Sequence, residues 1–337
     1  MNTISDMYVT AVKLSRENKF NEATEILAKI RDEAGYAPYC DFQLAVMANM
    51  QCNPVLAYDL FYQSFNAAPG IMSVLYDENH PNYNYIFQGI NPEVSRTDCP
   101  LCGEQGKPHW TYILCETSGF NPEINPVRMW MYCKPCHHIF ARDFPEKIFM
   151  YNANPRKANP QFFSYYSNVL TNIKKYTSGM SLFEVGVGAS ECLLAAREMG
   201  YKTLGIDVIS RHVDDAVNLY GLDAETSDFI EFESTQKWDI IIMGDVLEHV
   251  SDPVLAIKKV KTLLNPGGAV WISTPNFDSA HSVLRGHNDA MRKQHYHLNY
   301  FSRESLYRVL EKHGLTPVDY QISNHYNGSM EVIAVAK

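Results

Sequence analysis

The stretch Ser181-Leu-Phe-Glu184-Val-Gly186-Val-Gly188-Ala-Ser190 constrains this chain more than any other. An apolar run stops at two glycines, ECLLAAREMG follows with helical spacing, and YKTLGIDV returns to an apolar run. Strand, glycine turn, helix and strand make one unit whose strands pair in parallel, because the helix must cross over between them. The glycines permit a sharp turn and let the backbone meet a ligand. Asp207 ends the second strand, 21 residues after Gly186, where a carboxylate can accept both hydroxyls of a ribose. The place of the third glycine in the dinucleotide pattern is taken by Glu191. An acid at that helix start opposes a pyrophosphate, so the pattern suits a ligand without phosphate and with a cationic centre.

The alternation continues to the end of the chain. KWDIIIMGDVL, AVWISTP, LTPVDYQIS and SMEVIAVAK read as strands, and DPVLAIKKVKTLL and SRESLYRVLEKHG as helices. Residues 151–337 are therefore expected to form an α/β domain, its sheet mostly parallel and covered on both faces. Residues 1–75 read as four short amphipathic helices. NKFNEATEILAKIRDEAG and CNPVLAYDLFYQSFNAAPG align with Ala23 on Ala57, Leu27 on Phe61 and Ala34 on Ala68, each 34 residues apart. That is the tetratricopeptide (TPR) period, the alternative being a plain helical bundle. Two hairpins are fewer than the roughly three a free-standing solenoid needs, so they are expected to dock onto the rest of the chain.

Residues 76–150 carry a paired-thiol signal. Cys99-Pro-Leu-Cys102 and Cys133-Lys-Pro-Cys136 are two knuckles able to complete a tetrahedral four-sulfur site with no open position, the arrangement of structural zinc. The long insert between them is expected to form a hairpin or loop of its own, with WTYILCE and RMWMYC as its strands. Two unrelated thiol pairs, or a redox site, are the alternative. Cys40, Cys52, Cys115 and Cys192 lack such partners and read as buried small hydrophobes.

With 29 basic and 38 acidic residues the net charge is −9, which argues against a nucleic-acid partner, ribosomal RNA included. No apolar run approaches the ~20 residues of a membrane helix. The N-terminus lacks the basic start and apolar stretch of a secretory signal, so a cytoplasmic location is expected.

Residues 180–337 resemble the class I S-adenosylmethionine (SAM) methyltransferases in several successive motifs. FEVGVGAS is similar to their first motif, with Ser190 in place of its last glycine, and GIDVIS to the acidic ribose-binding strand end. SDFIEF is similar to the segment that flanks the adenine, and WDIIIMGDVLEHVSDP to the fourth motif of the ubiquinone and sugar methyltransferase branch. The resemblance implies a Rossmann-like sheet and a SAM site over Glu184, Gly186, Gly188, Ser190, Asp207, Asp228, Phe229 and Asp245. The zinc knuckles ahead of it resemble the N-terminal region of deoxysugar C-methyltransferases. The fold class expected is thus α/β, a class I methyltransferase sheet with an N-terminal TPR-like helical region and a small zinc-binding domain.

A small-molecule acceptor is implied, a sugar, nucleotide-sugar or glycan precursor methylated on oxygen or carbon. A protein acceptor or a SAM-binding interaction module is the alternative, with a protein partner or self-association through the N-terminal helices. Removal of the acceptor's proton calls for a base poised near neutrality, usually histidine. His249, after the fourth strand, and His287, His295 and His297, after the fifth, are expected near the mouth of the sheet, and His249 and His297 are the candidates for the base. His297 is preferred, because His249 is expected at a helix start that would weaken it as a proton acceptor, whereas the segment bearing His297 can close as a lid. Asp245, Glu248 and His249 also resemble a motif that holds a divalent ion in ubiquinone O-methyltransferases. Tyr165 and Tyr166 are placed to cover the cofactor or simply to pack.

Overall fold

A computed structural model describes residues 3–89, 93–117, 120–146 and 157–337. The chain opens with helices α1 (Ile4–Arg16), α2 (Phe20–Arg31), α3 (Ala37–Met50) and α4 (Pro54–Ala67). At the start of α4, Asn53 accepts from the Leu56 backbone N–H, and Pro54 occupies a first-turn position where its missing N–H loses nothing. The helices form two hairpins in which Ala23, Leu27, Ala57 and Phe61 are all buried. Helix α3 is apolar on two sides because it is sandwiched. Cys40 and Met47 face the first hairpin, while Phe42, Ala45 and Ala48 face α4 and the sheet beyond it.

The second hairpin docks as expected. Asn49 donates to the Thr111 carbonyl at 2.6 Å and accepts from the Thr111 N–H at 3.2 Å, while the Thr111 hydroxyl donates to the Pro54 carbonyl at 2.8 Å. After the short α5 (Met72–Leu75) come two small antiparallel sheets. In one, β1 (Glu93–Ser95) pairs with β5 (Asp143–Pro145). The other holds β2 (Lys107–Ile113), β3 (Val127–Cys133) and β4 (His138–Ala141), so the hairpin expected between the knuckles is present. Its fourth strand, β11 (Asn299–Tyr300), pairs with Ile139 and Phe140 from beyond the boundary expected at residue 150. The small sheet is completed by the C-terminal half of the chain.

That half comprises α6 (Gln161–Ile173), β6 (Ser181–Val185), α7 (Glu191–Glu198), β7 (Lys202–Asp207), α8 (Ser210–Tyr220), β8 (Ala224–Thr226), β9 (Trp238–Gly244) and α9 (Pro253–Leu263). It continues with β10 (Leu264–Pro275), α10 (Ala280–Arg285), β11, α11 (Arg303–Lys312), β12 (Leu315–Ile322) and β13 (Ser329–Ala336). The seven-stranded sheet has the order β12-β13-β10-β9-β6-β7-β8. Strands β6 to β10 run parallel, and β13 lies antiparallel to both its neighbours. Ile240–Met243 of β9 are wholly buried because both faces are covered, one by α6 and α7, the other by α9, α11 and the cysteine knuckles. Among the described residues no helix is long and apolar enough to cross a membrane.

Cys40, Cys115 and Cys192 are buried as expected, but Cys52 is exposed, because it sits in the left-handed turn (φ 59°) between α3 and α4. On β7, a Cβ added at Gly205 would meet Val187 Cγ2 at 2.4 Å and Leu193 Cδ1 at 2.7 Å. The glycine is what lets α7 lie close against the sheet. Gly205→Ala is therefore expected to destabilise the fold by about 1–3 kcal/mol through overpacking, measured by chemical denaturation.

Candidate functional site

Strand order reverses between β6 and β9, and ligands of open α/β sheets bind outside the strand ends at such a point. The glycine turn lies there. Gly186 and Gly188 have φ of 80° and 51°, and a Cβ at Gly186 would meet Val246 Cγ2 at 2.9 Å. Ser190 adopts φ 73°, so it takes the left-handed conformation that glycine would adopt more readily. Its Oγ is buried without a hydrogen-bond partner among the described residues, as is Glu184 Oε2. Burial, then the charges of Glu191 and Asp207, push the Glu184 carboxyl well above its ordinary range. Glu191 also receives the Asn159 backbone N–H at 2.9 Å. Three acids around an open turn, with Glu184 Oε2 and Ser190 Oγ buried and unpaired among the described residues, fit a ligand that brings a cation and hydroxyls, not a pyrophosphate.

Asp207 stands at the end of β7 with its carboxylate turned to this cradle. It accepts from the N–H groups of Gly188 (2.9 Å) and Ile209 (2.8 Å), and His212 Nδ1 lies 3.2 Å away. Asp228 is exposed and accepts from the Ile230 N–H at 2.7 Å. Phe229 is spent on the core, its ring 6.5 Å from that of Phe183, so what it can offer a ligand is backbone. Asp245 follows β9 with φ 52° and exchanges hydrogen bonds with Ser273, from its own N–H and from the serine hydroxyl, both at 3.0 Å.

One turn beyond Asp245, the structure brings together Glu248, His249 and His297, whose ligand-type atoms all lie within 4.8 Å of one another. Asp245 is not part of that group. The helix expected to start at His249 starts at Pro253 instead, and His249 lies in the turn before it. His249 Nδ1 lies 3.0 Å from the Tyr296 carbonyl oxygen, which can only accept. Nδ1 therefore carries the proton and Nε2 keeps its lone pair. The His297 ring is 4.9 Å from that of His249. Burial lowers both imidazoles, His297 furthest, with His249 and Arg128 adding to the effect. Glu248 is pushed well above the carboxylate range, first by burial and then by Asp245, and it accepts from the Thr274 hydroxyl at 3.0 Å. The segment carrying His297 is not a loose lid. Arg128, buried on β3, donates to the His297 carbonyl at 2.7 Å.

The four sulfurs of Cys99, Cys102, Cys133 and Cys136 also lie within 4.8 Å of one another. The Cys102–Cys133 separation of 3.6 Å is close to the edge of a tetrahedron with metal–sulfur bonds of ~2.3 Å. None of the four is in a disulfide. His137 and His138 stand outside this set. His138 is buried and reaches Asn299 Oδ1 at 3.4 Å.

A cavity of about 270 Å³ lies between α6 and β10, β12 and β13, lined by Asn172, Asp319, Gln321 and Glu331 among others. Tyr165 lines it too, and its hydroxyl donates to Glu331 at 2.8 Å. His212 and Arg128 are the groups near the site that motif reading does not single out. An arginine inside the otherwise apolar run VRMWMYC was the one available signal, since such a residue must find partners when the strand is buried.

Residues 156–320 match the family model described as "Methyltransferase domain". The Ubiquinone biosynthesis O-methyltransferase of Cereibacter sphaeroides (strain ATCC 17029) is 27% identical over 157 residues, covering 42% of this chain and 62% of that protein. The protein of the same name from Albidiferax ferrireducens is 30% identical over 116 residues, 32% of this chain and 46% of that protein. The chain thus spans less than two thirds of the length of these relatives. Among solved structures, the N-methyltransferase NodS from Bradyrhizobium japonicum WM9, in complex with S-adenosyl-l-homocysteine, aligns with a TM-score of 0.44 at 16% identity, covering 55% of this chain and 93% of that one.

A left-handed non-glycine residue costs roughly 1–2 kcal/mol, partly offset by the lower backbone entropy it loses on folding. Ser190→Gly is expected to raise stability by up to about 1 kcal/mol, read from thermal unfolding. A loss of stability would mean that the serine hydroxyl makes a stabilising contact of its own.

Proposed function

We propose that this chain is a SAM-dependent methyltransferase acting on a hydroxyl of a small molecule. The observation that carries the reading is the acid-lined glycine turn at the reversal of strand order, with Glu184 and Ser190 holding unpaired buried oxygens. When bound, SAM supplies a methyl group already activated by its sulfonium. Glu184, Gly186, Gly188, Ser190 and Asp245 surround its methionine part. Asp207 accepts the ribose hydroxyls on the lone pairs that Gly188 and Ile209 leave open, and Asp228 with the Phe229 backbone flanks the adenine. His297 and His249 take the acceptor's proton, both being neutral imidazoles at neutral pH because burial lowers them. The acceptor class we favour is a sugar or glycan precursor, on the likeness of the cysteine knuckles to the N-terminal region of deoxysugar C-methyltransferases.

We further infer one structural zinc on Cys99, Cys102, Cys133 and Cys136. A second reading of the histidine pair, favoured by the 4.8 Å grouping with Glu248, is that these three side chains hold a divalent cation.

Calorimetry with SAM and with NAD tests the first proposal. SAM is expected to bind and NAD not, with Asp207→Ala weakening SAM by about 1–3 kcal/mol. NAD binding without SAM binding would overturn it. His297→Asn is expected to lower kcat by roughly 10²–10⁴ with SAM affinity kept. Because burial depresses the imidazole, the acid limb of kcat/KM should lie below the ordinary histidine range. A kcat within a few-fold of wild type would pass the role to His249. Metal analysis of purified protein should return one zinc per chain, lost together with local folding on Cys99→Ser/Cys133→Ser. Fully folded metal-free protein would refute the zinc, and a second divalent equivalent, removed by Glu248→Gln, would select the cation reading.

A further inference from the structure

The carboxylate at the end of β7 is more fully occupied than a ribose-binding role asks. A carboxylate has about four lone-pair positions, shared equally between its two oxygens. On Asp207, Oδ1 accepts from the Ile209 N–H at 2.8 Å and Oδ2 from the Gly188 N–H at 2.9 Å. His212 Nδ1 lies 3.2 Å from that same Oδ2 and, because a carboxylate only accepts, it carries the proton. Oδ2 is then full among the described residues, and the remaining position is on Oδ1. The two neighbouring hydroxyls of a ribose need a place on each oxygen.

The imidazole is not needed to aim the carboxylate. Two backbone N–H groups, one from the glycine turn and one from the residue before α8, already fix one oxygen each, and neither can swing away without moving the main chain. His212 is a side chain in the first turn of α8, and its bond is the longest of the three, at the far end of the ordinary range. It is therefore the partner that can yield. The contact is nonetheless buried, His212 being 8% and Asp207 7% exposed, so solvent does little to weaken it. A ribose that takes both oxygens has to displace it.

We propose that His212 sets the cofactor affinity of this chain by occupying the position on Asp207 that one ribose hydroxyl would take. This deepens the SAM reading above and rests on it. Either the ribose is held through one hydroxyl while His212 keeps its bond, or the second hydroxyl bonds Oδ2 and the His212 bond is lost. In both cases the second hydroxyl brings little net gain. SAM and S-adenosylhomocysteine carry the same ribose, so both are weakened by the same factor and the spent cofactor is held no more tightly than the fresh one.

Calorimetry with S-adenosylhomocysteine and with its 2′-deoxy and 3′-deoxy forms tests this on the full chain, as wild type, His212→Leu and His212→Phe. Leucine suits a helix and phenylalanine keeps a ring of similar size, and both remove Nδ1. The Kd for S-adenosylhomocysteine is expected to fall about tenfold in either variant, since a hydrogen bond to a charged group is worth that factor or more. In wild type, one of the two deoxy forms should bind within about twofold of the parent, and in the variants that same form should bind about tenfold more weakly than the parent. A residue that only supports α8 would leave the ratio between parent and deoxy form unchanged. An unchanged or weaker Kd for the parent in a variant that unfolds at the wild-type temperature overturns the proposal. So does a wild type that loses about tenfold with each deoxy form, a result that decides by itself if a variant fails to fold. Wild type that does not bind S-adenosylhomocysteine removes the cofactor reading itself, whereas every other outcome bears on His212 alone.

Discussion

The backbone N–H groups of Leu298 and Asn299 both donate to the carbonyl oxygen of Glu248, at 2.7 and 3.1 Å, and so join the loop after β9 to the strand that completes the small sheet. The same short segment is gripped from the other side. The Leu298 carbonyl accepts from the Ala141 N–H at 2.9 Å and from Arg96 at 3.1 Å, and the Asn299 side chain donates to the Val250 carbonyl at 2.7 Å. Arg96 also reaches the Ser251 carbonyl at 2.7 Å. Several of these groups are buried, where stranding one partner costs about 1–3 kcal/mol. The cysteine knuckles and the Glu248–His249 turn are therefore parts of one rigid arrangement, even though some 100 residues of chain separate them.

Burial sets the electrostatics of this arrangement more than any ion pair does. Glu184 and Glu248 rise and the imidazoles of His138, His249, His295 and His297 fall, in every case with loss of solvent as the first cause. Arg128 and Arg96 are each held down at about 10, which still leaves both charged at neutral pH. Both guanidinium groups donate to backbone carbonyls near the site, and after burial Arg128 adds to the lowering of His295 and His297, as Arg96 does for His138. A lone pair on each imidazole at neutral pH follows from that desolvation.

Much of the fold was legible because its signals are local. Apolar runs, glycines and caps lie within a few residues of the elements they specify, as with Asn53-Pro54 before α4 and Asp252-Pro253 before α9. The latter cap also explains why His249 lies in a turn: the helix start belongs to Asp252, whose side chain accepts from the Leu255 N–H at 2.9 Å. The cradle residues Glu184 to Ser190 and Asp207 were readable for the same reason. What the residues could not disclose was the extra strand in the small sheet. Asn299–Tyr300 is two residues long, too short for any period to show.

From the order of residues alone come the α/β alternation, the strand–turn–helix with its acids, the paired thiols and the helical front end, since each depends on neighbours in the chain. Only the tertiary structure decided which distant groups meet. Arg128 touches the residue His297 across 169 positions. No spacing encodes such encounters, because they are settled by how two sheets pack through a shared strand and by which polar atoms that packing removes from water.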